Sequence, residues 1–550
     1  MVESKTGGRL IVDALNAHGV DRIFCVPGES FLEVLDALYD QKNIHLVVAK
    51  HEGAAANMAE ADGKLTGRPG ICMVTRGPGA THASIGVHIA QQDSTPMILL
   101  IGQVAKSQRG REAFQEVDYE QMFGGMAKWV VELDDASRIP ELLARAFQVA
   151  TSGRPGPVVI SLPEDILAQQ ATVPVCKSTP ALAAGMPEQG LAQIHELLIQ
   201  AKRPLVVVGG SNWTDKGIHD LHRFVHDWNL PVAASLRRQD ILDNRDPHYV
   251  GHLSLGINPA LAKRIAQADL LLAMGTRLGD VPTDAYTLLE VPNPAQTLVH
   301  IYPEPSELGR VYQAELAIPI TASEAARALA SLEKTSEVCW TQWTQEARSD
   351  LELFRDYTHS ESTPLNGVDM ISVVGHLNNT LADDAFITNG AGNYAVWLHR
   401  FYEYKKYRTE LAPICGAMGY GLPAAVAAAL RHPQREVVCF AGDGCFLMYP
   451  QEMVTAMEQG LKLIILVVNN GMYGTIRMHQ ERDHPGRISG THLQGPDFVA
   501  MAKSCGAYAE KVEHTNDFAA AFQRAQASNG LALLELMVDP QQISPQMRLS

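Results

Sequence analysis

Two apolar runs, Val437-Val438-Cys439-Phe440 and Leu463-Ile464-Ile465-Leu466-Val467-Val468, restrict the possible folds more than any other feature of the chain. Runs of this length, with no polar alternation, predict strands buried on both faces. The first leads into Ala441-Gly442-Asp443-Gly444-Cys445 and the second into Asn469-Asn470. Between them, the segment from Tyr449 to Gln459 has Pro450 near its start and Gly460 after its end, the usual punctuation of a helix. The result is a βαβ unit of a parallel sheet, with a polar group at the carboxyl end of each strand. Ligands sit at those ends in open parallel sheets, so Asp443 and Asn470 are expected to reach one point in space. An Asp carboxylate, an Asn carbonyl and a main-chain carbonyl, completed by phosphate oxygens and water, suit Mg²⁺. Gly442 and Gly444 allow the backbone to approach a diphosphate, and the amides behind them can donate to it. The bland alternative is a plain turn after each strand. A lone GDG is usually such a turn; GDG followed by helix, strand and NN is far more specific.

The same alternation runs through the rest of the chain. Short apolar runs such as His45–Ala49, Ile71–Thr75, Met97–Ile101 and Pro157–Leu162 alternate with helical patterns in the first third. A second set includes Pro204–Gly210, Asp269–Gly275 and Thr297–Ile301, and a third begins near Ala385. The expected fold class is therefore α/β, with three doubly wound parallel-sheet domains at residues 1–170, 188–335 and 360–550. Residues 168–190, rich in Pro and Ala, are expected to be a linker, and a polar stretch at 334–366 to separate the second and third domains. The formal net charge of −16 and pI of 5.7, with scattered Lys and Arg, exclude an electrostatic footprint for nucleic acid or an anionic membrane. Small molecules are the expected partners. Eight cysteines without a CxxC pair argue against a disulfide framework or a cysteine-based zinc site. The amino terminus resembles no signal peptide, and no run of 18 apolar residues occurs, so the expectation is a cytoplasmic protein with no membrane partner.

The chain resembles the thiamine-diphosphate-dependent decarboxylases and carboligases. The motifs that carry the resemblance span its length: HEGAAANMAEADGKLTGRPG, VTRGPGATH, DSTPMILLIGQV, AFQE, GAMGYGLPAA, AGDGCF and VVNNGMYGTIR. The nearest resemblance is to the acetolactate synthase large subunits. It implies that Glu52 bonds the cofactor's pyrimidine and drives its activating tautomer, a role that suits a carboxylate in a dry pocket. The bland alternative for Glu52 is an N-terminal charge on its helix. By the same resemblance, Gly416 and Met418 hold the pyrimidine. Asp443, Asn470 and the main-chain oxygen of Met472 hold Mg²⁺. Gly442, Gly444, Cys445, Tyr473, Gly474 and the turn around Gly392 and Asn393 border the cofactor. It also implies a homodimer or a dimer of dimers with active sites between subunits. FAD, bound without a redox role in acetolactate synthases, is a possible further cofactor, although the middle domain lacks an obvious GxGxxG.

Substrate choice rests on fewer residues. Phe114 and Gln115 of AFQE agree with the synthases, where these positions line the channel beside the reacting carbon. Val281 stands where the anabolic synthases have an Arg for the second substrate's carboxylate, and His479 where they have a specificity-setting Trp. His479 reads either as an acid/base group or as a solvated lid residue. The adjacent histidines of pyruvate decarboxylases have no counterpart in Gln103–Gln108. Glu29, in the turn CVPGES, takes the place of a decarboxylase's catalytic Asp, and reads equally as a second active-site carboxylate or as a charge for the dipole of the following helix. The reaction expected is decarboxylation of a 2-oxo acid, pyruvate foremost, with ligation to a second carbonyl compound. The alternative is a non-oxidative decarboxylase or a 2-hydroxy ketone lyase of the same family.

Overall fold

The computed structural model describes residues 3–179, 182–334, 337–356, 364 and 366–549. Three six-stranded, wholly parallel sheets account for the long apolar runs. The first contains β1 (Arg22–Cys25), β2 (His45–Val48), β3 (Gly70–Val74), β4 (Met97–Gln103), β5 (Trp129–Glu132) and β6 (Pro157–Pro163), in the order β2-β1-β3-β4-β6-β5. The middle sheet contains β7 (Pro204–Val208), β8 (Val232–Ser235), β9 (Tyr249–Leu253), β10 (Leu270–Met274), β11 (Thr297–Ile301) and β12 (Leu316–Ile318), ordered β9-β8-β7-β10-β11-β12. The third contains β13 (Phe386–Asn389), β14 (Glu410–Leu411), β15 (Val437–Gly442), β16 (Leu463–Asn469), β17 (Tyr508–Val512) and β18 (Leu531–Met537), and its order, β14-β13-β15-β16-β18-β17, repeats that of the first.

Burial on both faces explains why these strands lack polar alternation. In the middle sheet, Val206, Val208, Leu270, Leu272 and Met274 join one core, while Leu205, Val207, Leu271 and Ala273 join another on the opposite face. With successive residues pointing to opposite sides, every position must be apolar. Each sheet has a switch point where strands wind away to opposite sides, between β1 and β3, between β7 and β10, and between β13 and β15. These switch points are where open α/β sheets place ligands.

By contacts the chain forms two compact units. One is residues 1–182 with 413–433 and 447–461, and holds the first sheet; the other holds the middle and third sheets. In the first unit, the helices Glu52–Thr66 and Pro78–Asp93 approach closely because their facing residues are small: a Cβ on Gly86 would lie 2.4 Å from that of Ala56.

Two stretches expected to be connectors carry structure. Residues 170–171 pair antiparallel with Lys5–Thr6, and the helix Glu188–Gln200 begins inside the expected linker. The polar stretch at 334–366 includes the helix Thr341–Arg355. Trp340, Trp343 and Leu351 join the core of the middle sheet, and the Trp343 indole donates to the Pro204 carbonyl at 2.9 Å. A narrow apolar stripe on a strongly charged helix hides this packing in the sequence. Residues 357–363 and 365 of that stretch lie outside the described residues.

Candidate active site

In the second unit, the switch point of the third sheet gathers the loops after β13, β15 and β16. Asp443 follows β15, is 4% exposed, and accepts from the amides of Gly444 at 2.8 Å and Gly471 at 2.9 Å. Burial pushes its carboxyl up to about 6, against the pull of the amides of Gly444, Gly471, Met472 and Asn470. Among the described residues no ion pair is made to it. A buried carboxylate held by backbone amides beside the loop Asn470–Met472, with no ion pair among the described residues, fits a hard divalent ion.

The loop after β16 is shaped for the same point. Gly471 has φ +67°, a left-handed conformation, and the chain folds back so that the Met472 amide donates to Asn470 Oδ1 at 3.2 Å. The Met472 carbonyl accepts from Gly474 at 2.9 Å and keeps a second lone pair. The amides of Asn470, Gly471 and Met472 thus all lie at the Asp443 carboxylate.

Two groups that sequence reasoning missed complete the floor. The buried Tyr394 ring lies under the GDG turn: a Cβ on Gly442 or on Gly392 would meet it at 2.8 Å. Its hydroxyl donates to Cys445 Sγ at 3.2 Å and accepts from the Gly390 amide at 2.9 Å. Asn389, the last residue of β13, is 0% exposed, and neither its amide nitrogen nor its oxygen has a partner among the described residues. A fully buried amide left unpaired at a ligand-binding edge suits a polar group arriving from outside the chain. Gly444 lies against Tyr473, Asn393 exchanges hydrogen bonds with Thr475 at 3.0 Å, and His479 is half-buried on the helix Gly474–Asp483.

In the first unit, the carboxyl edge of the first sheet gathers a second group. Glu52 opens the helix Glu52–Thr66, and its carboxylate, 15% exposed, accepts from or shares a proton with His82 Nδ1 at 2.9 Å. His51 stacks on His82 at 4.6 Å. Burial and His82 together lower the His51 pKa, opposed by Glu52. The turn ahead of Glu52 is held by Glu452, a buried carboxylate that accepts from the Lys50 amide at 3.0 Å and from Thr455 at 2.7 Å. Burial raises Glu452 to about 7. Gly53 has no Cβ because Tyr449 Oη stands 2.4 Å from where one would be.

CVPGES follows β1 and meets the loop after β3 at the first sheet's switch point. Ser30 and Thr75 share a hydrogen bond of 2.9 Å, and a Cβ on Gly28 would lie 2.4 Å from that of Thr75. Glu29 begins the single turn Glu29–Phe31, two-thirds exposed, and pairs with Arg76 at 3.0 Å. Arg76 also pairs with Glu164. The carboxylate thus faces an ion-pair partner, which neither reading of the sequence anticipated. Gln115, at φ +65°, packs against Gly77 just beyond Arg76, and Phe114 is 75% exposed. The loop carrying Gly416 and Met418 is anchored in this unit by the Ile414 amide, which donates to Asp93 at 3.0 Å. Met418 is half-buried and Gly416 exposed at φ +70°. Val281 starts a turn in the middle domain of the other unit.

The middle sheet has the strand order of dinucleotide-binding folds. At its switch point, however, a Cβ on Gly210 would lie 1.9 Å from the Gly275 carbonyl, so close packing of the two loops accounts for these glycines without a ligand.

A parallel sheet with GDG and NN at its switch point, and a helix-opening glutamate on a sheet of identical order, define an enzyme that works through a diphosphate cofactor. The chain belongs to the thiamine pyrophosphate enzyme family, whose N-terminal TPP binding domain matches residues 5–122, central domain 191–329 and C-terminal TPP binding domain 390–536. It is 30% identical to the probable acetolactate synthase large subunit of Methanocaldococcus jannaschii, over 98% of this chain and 93% of that one. It is 32% identical to the acetolactate synthase large subunit of Parasynechococcus marenigrum, over 94% and 86%, and 30% identical to the isozyme 3 large subunit of Escherichia coli, over 98% and 96%. The protein is a thiamine-diphosphate-dependent enzyme of the carboligase and decarboxylase kind. Among the described residues no helix is long and apolar enough to cross a membrane, and all eight cysteines are free.

Proposed function

We propose that this enzyme decarboxylates a 2-oxo acid, pyruvate foremost, and ligates the remaining acyl unit to a second carbonyl compound, using thiamine diphosphate and Mg²⁺ in the cytoplasm as a homodimer or a dimer of dimers. The observation that carries the cofactor reading is the buried Asp443 carboxylate, gripped by backbone amides and without an ion pair among the described residues. Asp443, Asn470 and the Met472 carbonyl would hold the metal, with Gly444, Cys445 and Asn389 toward the diphosphate. The cofactor supplies an electron sink for the carbanion left by loss of carbon dioxide.

The chain's own residues do the rest. Glu52 holds or releases a proton at its carboxylate, with His82 within 2.9 Å as the partner that a bound ring nitrogen would replace. Glu452 and Tyr449 fix the turn from which Glu52 projects, so the proton is handled at one position. Phe114 and Gln115 agree with the synthases, and Gln103–Gln108 holds no adjacent histidines, which supports ligation over simple release of an aldehyde. The names of the relatives support the same reading. Flavin has no part in the proposal.

The test is product analysis of purified protein, reconstituted with thiamine diphosphate and Mg²⁺, over a panel of 2-oxo acids with and without aldehyde or 2-oxo acid acceptors. The expected product from pyruvate is a hydroxy keto compound; acetaldehyde alone would remove the ligase reading and leave the decarboxylase or lyase one.

A further inference from the structure

The middle domain carries a cluster of imidazoles that the reaction above does not use. On the helix Asp215–Trp228, His222 and His226 are four residues apart and so share a face. Their rings stack with centroids 4.0 Å apart, and both Nε2 atoms point at one oxygen of Asp246, at 3.3 Å for His222 and 2.7 Å for His226. Asp246 comes from the loop before β9, with its side chain only 6% exposed, whereas His222 and His226 are 51% and 37% exposed. One side of the cluster is therefore open to solvent and the other is built in.

The built side is rigid. The second oxygen of Asp246 is taken by His248, whose backbone amide donates to it at 2.8 Å and whose Nδ1 lies 3.0 Å away. His248 Nε2 in turn faces Asn229 Oδ1 at 3.0 Å, and the Asp246 carbonyl accepts from the Arg348 guanidinium at 2.9 Å. One Asp oxygen is thus oriented by a second layer while the other is offered to two imidazoles, the arrangement that orients carboxylate ligands in metal sites.

We propose that His222, His226 and Asp246 form a binding site for a borderline divalent transition-metal ion, Zn²⁺ or a close analogue, separate from the Mg²⁺ site. Two imidazole nitrogens and one carboxylate oxygen suit Zn²⁺ and not the hard cation expected at Asp443. The three ligand atoms lie within 4.8 Å of one another. Around a tetrahedral ion with bonds of about 2.0–2.1 Å, ligand atoms stand roughly 3.3 Å apart. His222 and Asp246 are already at that spacing, and His226 needs to withdraw by only about half an ångström from its 2.7 Å contact. Water from the exposed side takes the fourth position. The ion would tie the helix to the loop that leads into β9.

The test is titration of the holoenzyme, in excess thiamine diphosphate and Mg²⁺, with Co²⁺ as the spectroscopic probe and Zn²⁺ as the competitor. The expected result is one Co²⁺ per chain with visible bands of tetrahedral type, displaced by Zn²⁺ and weakened at least tenfold in both His222→Gln and His226→Gln. These two side chains are exposed on a helix, so both variants are expected to fold. His51, Glu52 and His82 form the other cluster of this kind among the described residues, so His82→Gln serves as the control and must keep the bands. Absence of the bands, their loss in His82→Gln, or their survival in the helix variants overturns the proposal.

Discussion

Glu52 and Glu452 are two carboxylates of the first unit with opposite tasks. Glu52 opens a helix and faces His82; Glu452 is buried beneath the turn and accepts from the Lys50 amide and Thr455. Glu52→Gln keeps the size and loses the exchangeable charge, so kcat should fall by about 10²–10⁴ with cofactor affinity nearly unchanged. Single-turnover assays beside calorimetric titration of the cofactor check this, and an unchanged kcat would remove Glu52 from the chemistry. Glu452 makes its mark on stability instead. Its carboxyl is raised from an ordinary 4.5 to about 7, so between those values the folded state binds the proton more tightly than the unfolded chain does. The contribution of Glu452 to stability is therefore full below about pH 4.5 and is lost as the pH rises toward 7, by on the order of 3 kcal/mol. Glu452→Gln stays neutral throughout. Its urea midpoint relative to the parent should thus rise between pH 5 and pH 8, whereas a constant difference would mean that the carboxylate is ionised at both.

At the scale of elements, the strands and the two motif loops were legible and the supports beneath them were not. Burial on both faces writes a strand as an unbroken apolar run, and GDG and NN announce themselves because nothing but a ligand-facing turn requires that set after two adjacent strands. Asn389, Tyr394 and Glu452 left no such trace. Tyr394 and Glu452 work through contacts that only the folded chain supplies, such as Glu452 on the amide of Lys50, about 400 residues earlier, and Asn389 is marked only by being buried and unpaired. His222 and His226 did leave a signal, their spacing on a helix, but Asp246 had to be placed by the fold before it meant anything. The helix Thr341–Arg355 was hidden because its apolar stripe is only one residue wide per turn. That stripe has weight: Trp343 is 8% exposed in the core of the middle sheet and its indole is hydrogen-bonded. Trp343→Ala should cost about 3–5 kcal/mol, read as a lowered denaturation midpoint, and a cost below about 1 kcal/mol would mean that the helix packs only loosely.

For the whole molecule, the first and third sheets share one strand order, and each puts its functional groups at the same switch point, Glu52 near one and Asp443 at the other. Proposed here is that the Glu52 of one subunit and the Asp443 of another serve one cofactor, so that neither subunit is complete alone. Complementation tests this directly. Glu52→Gln and Asp443→Asn homodimers should each be inactive, the second also failing to retain Mg²⁺ through gel filtration, because an amide in place of the buried carboxylate removes the charge that the ion needs. When the two are unfolded together and refolded, mixed dimers carry one site with both defects and one with neither. Random pairing then restores roughly a quarter of the parental activity. Were both residues of a site drawn from the same subunit, every site would hold one defect and mixing would restore nothing. The two geometries differ by an all-or-none result, because a closed two-fold dimer must build both of its sites by the same rule.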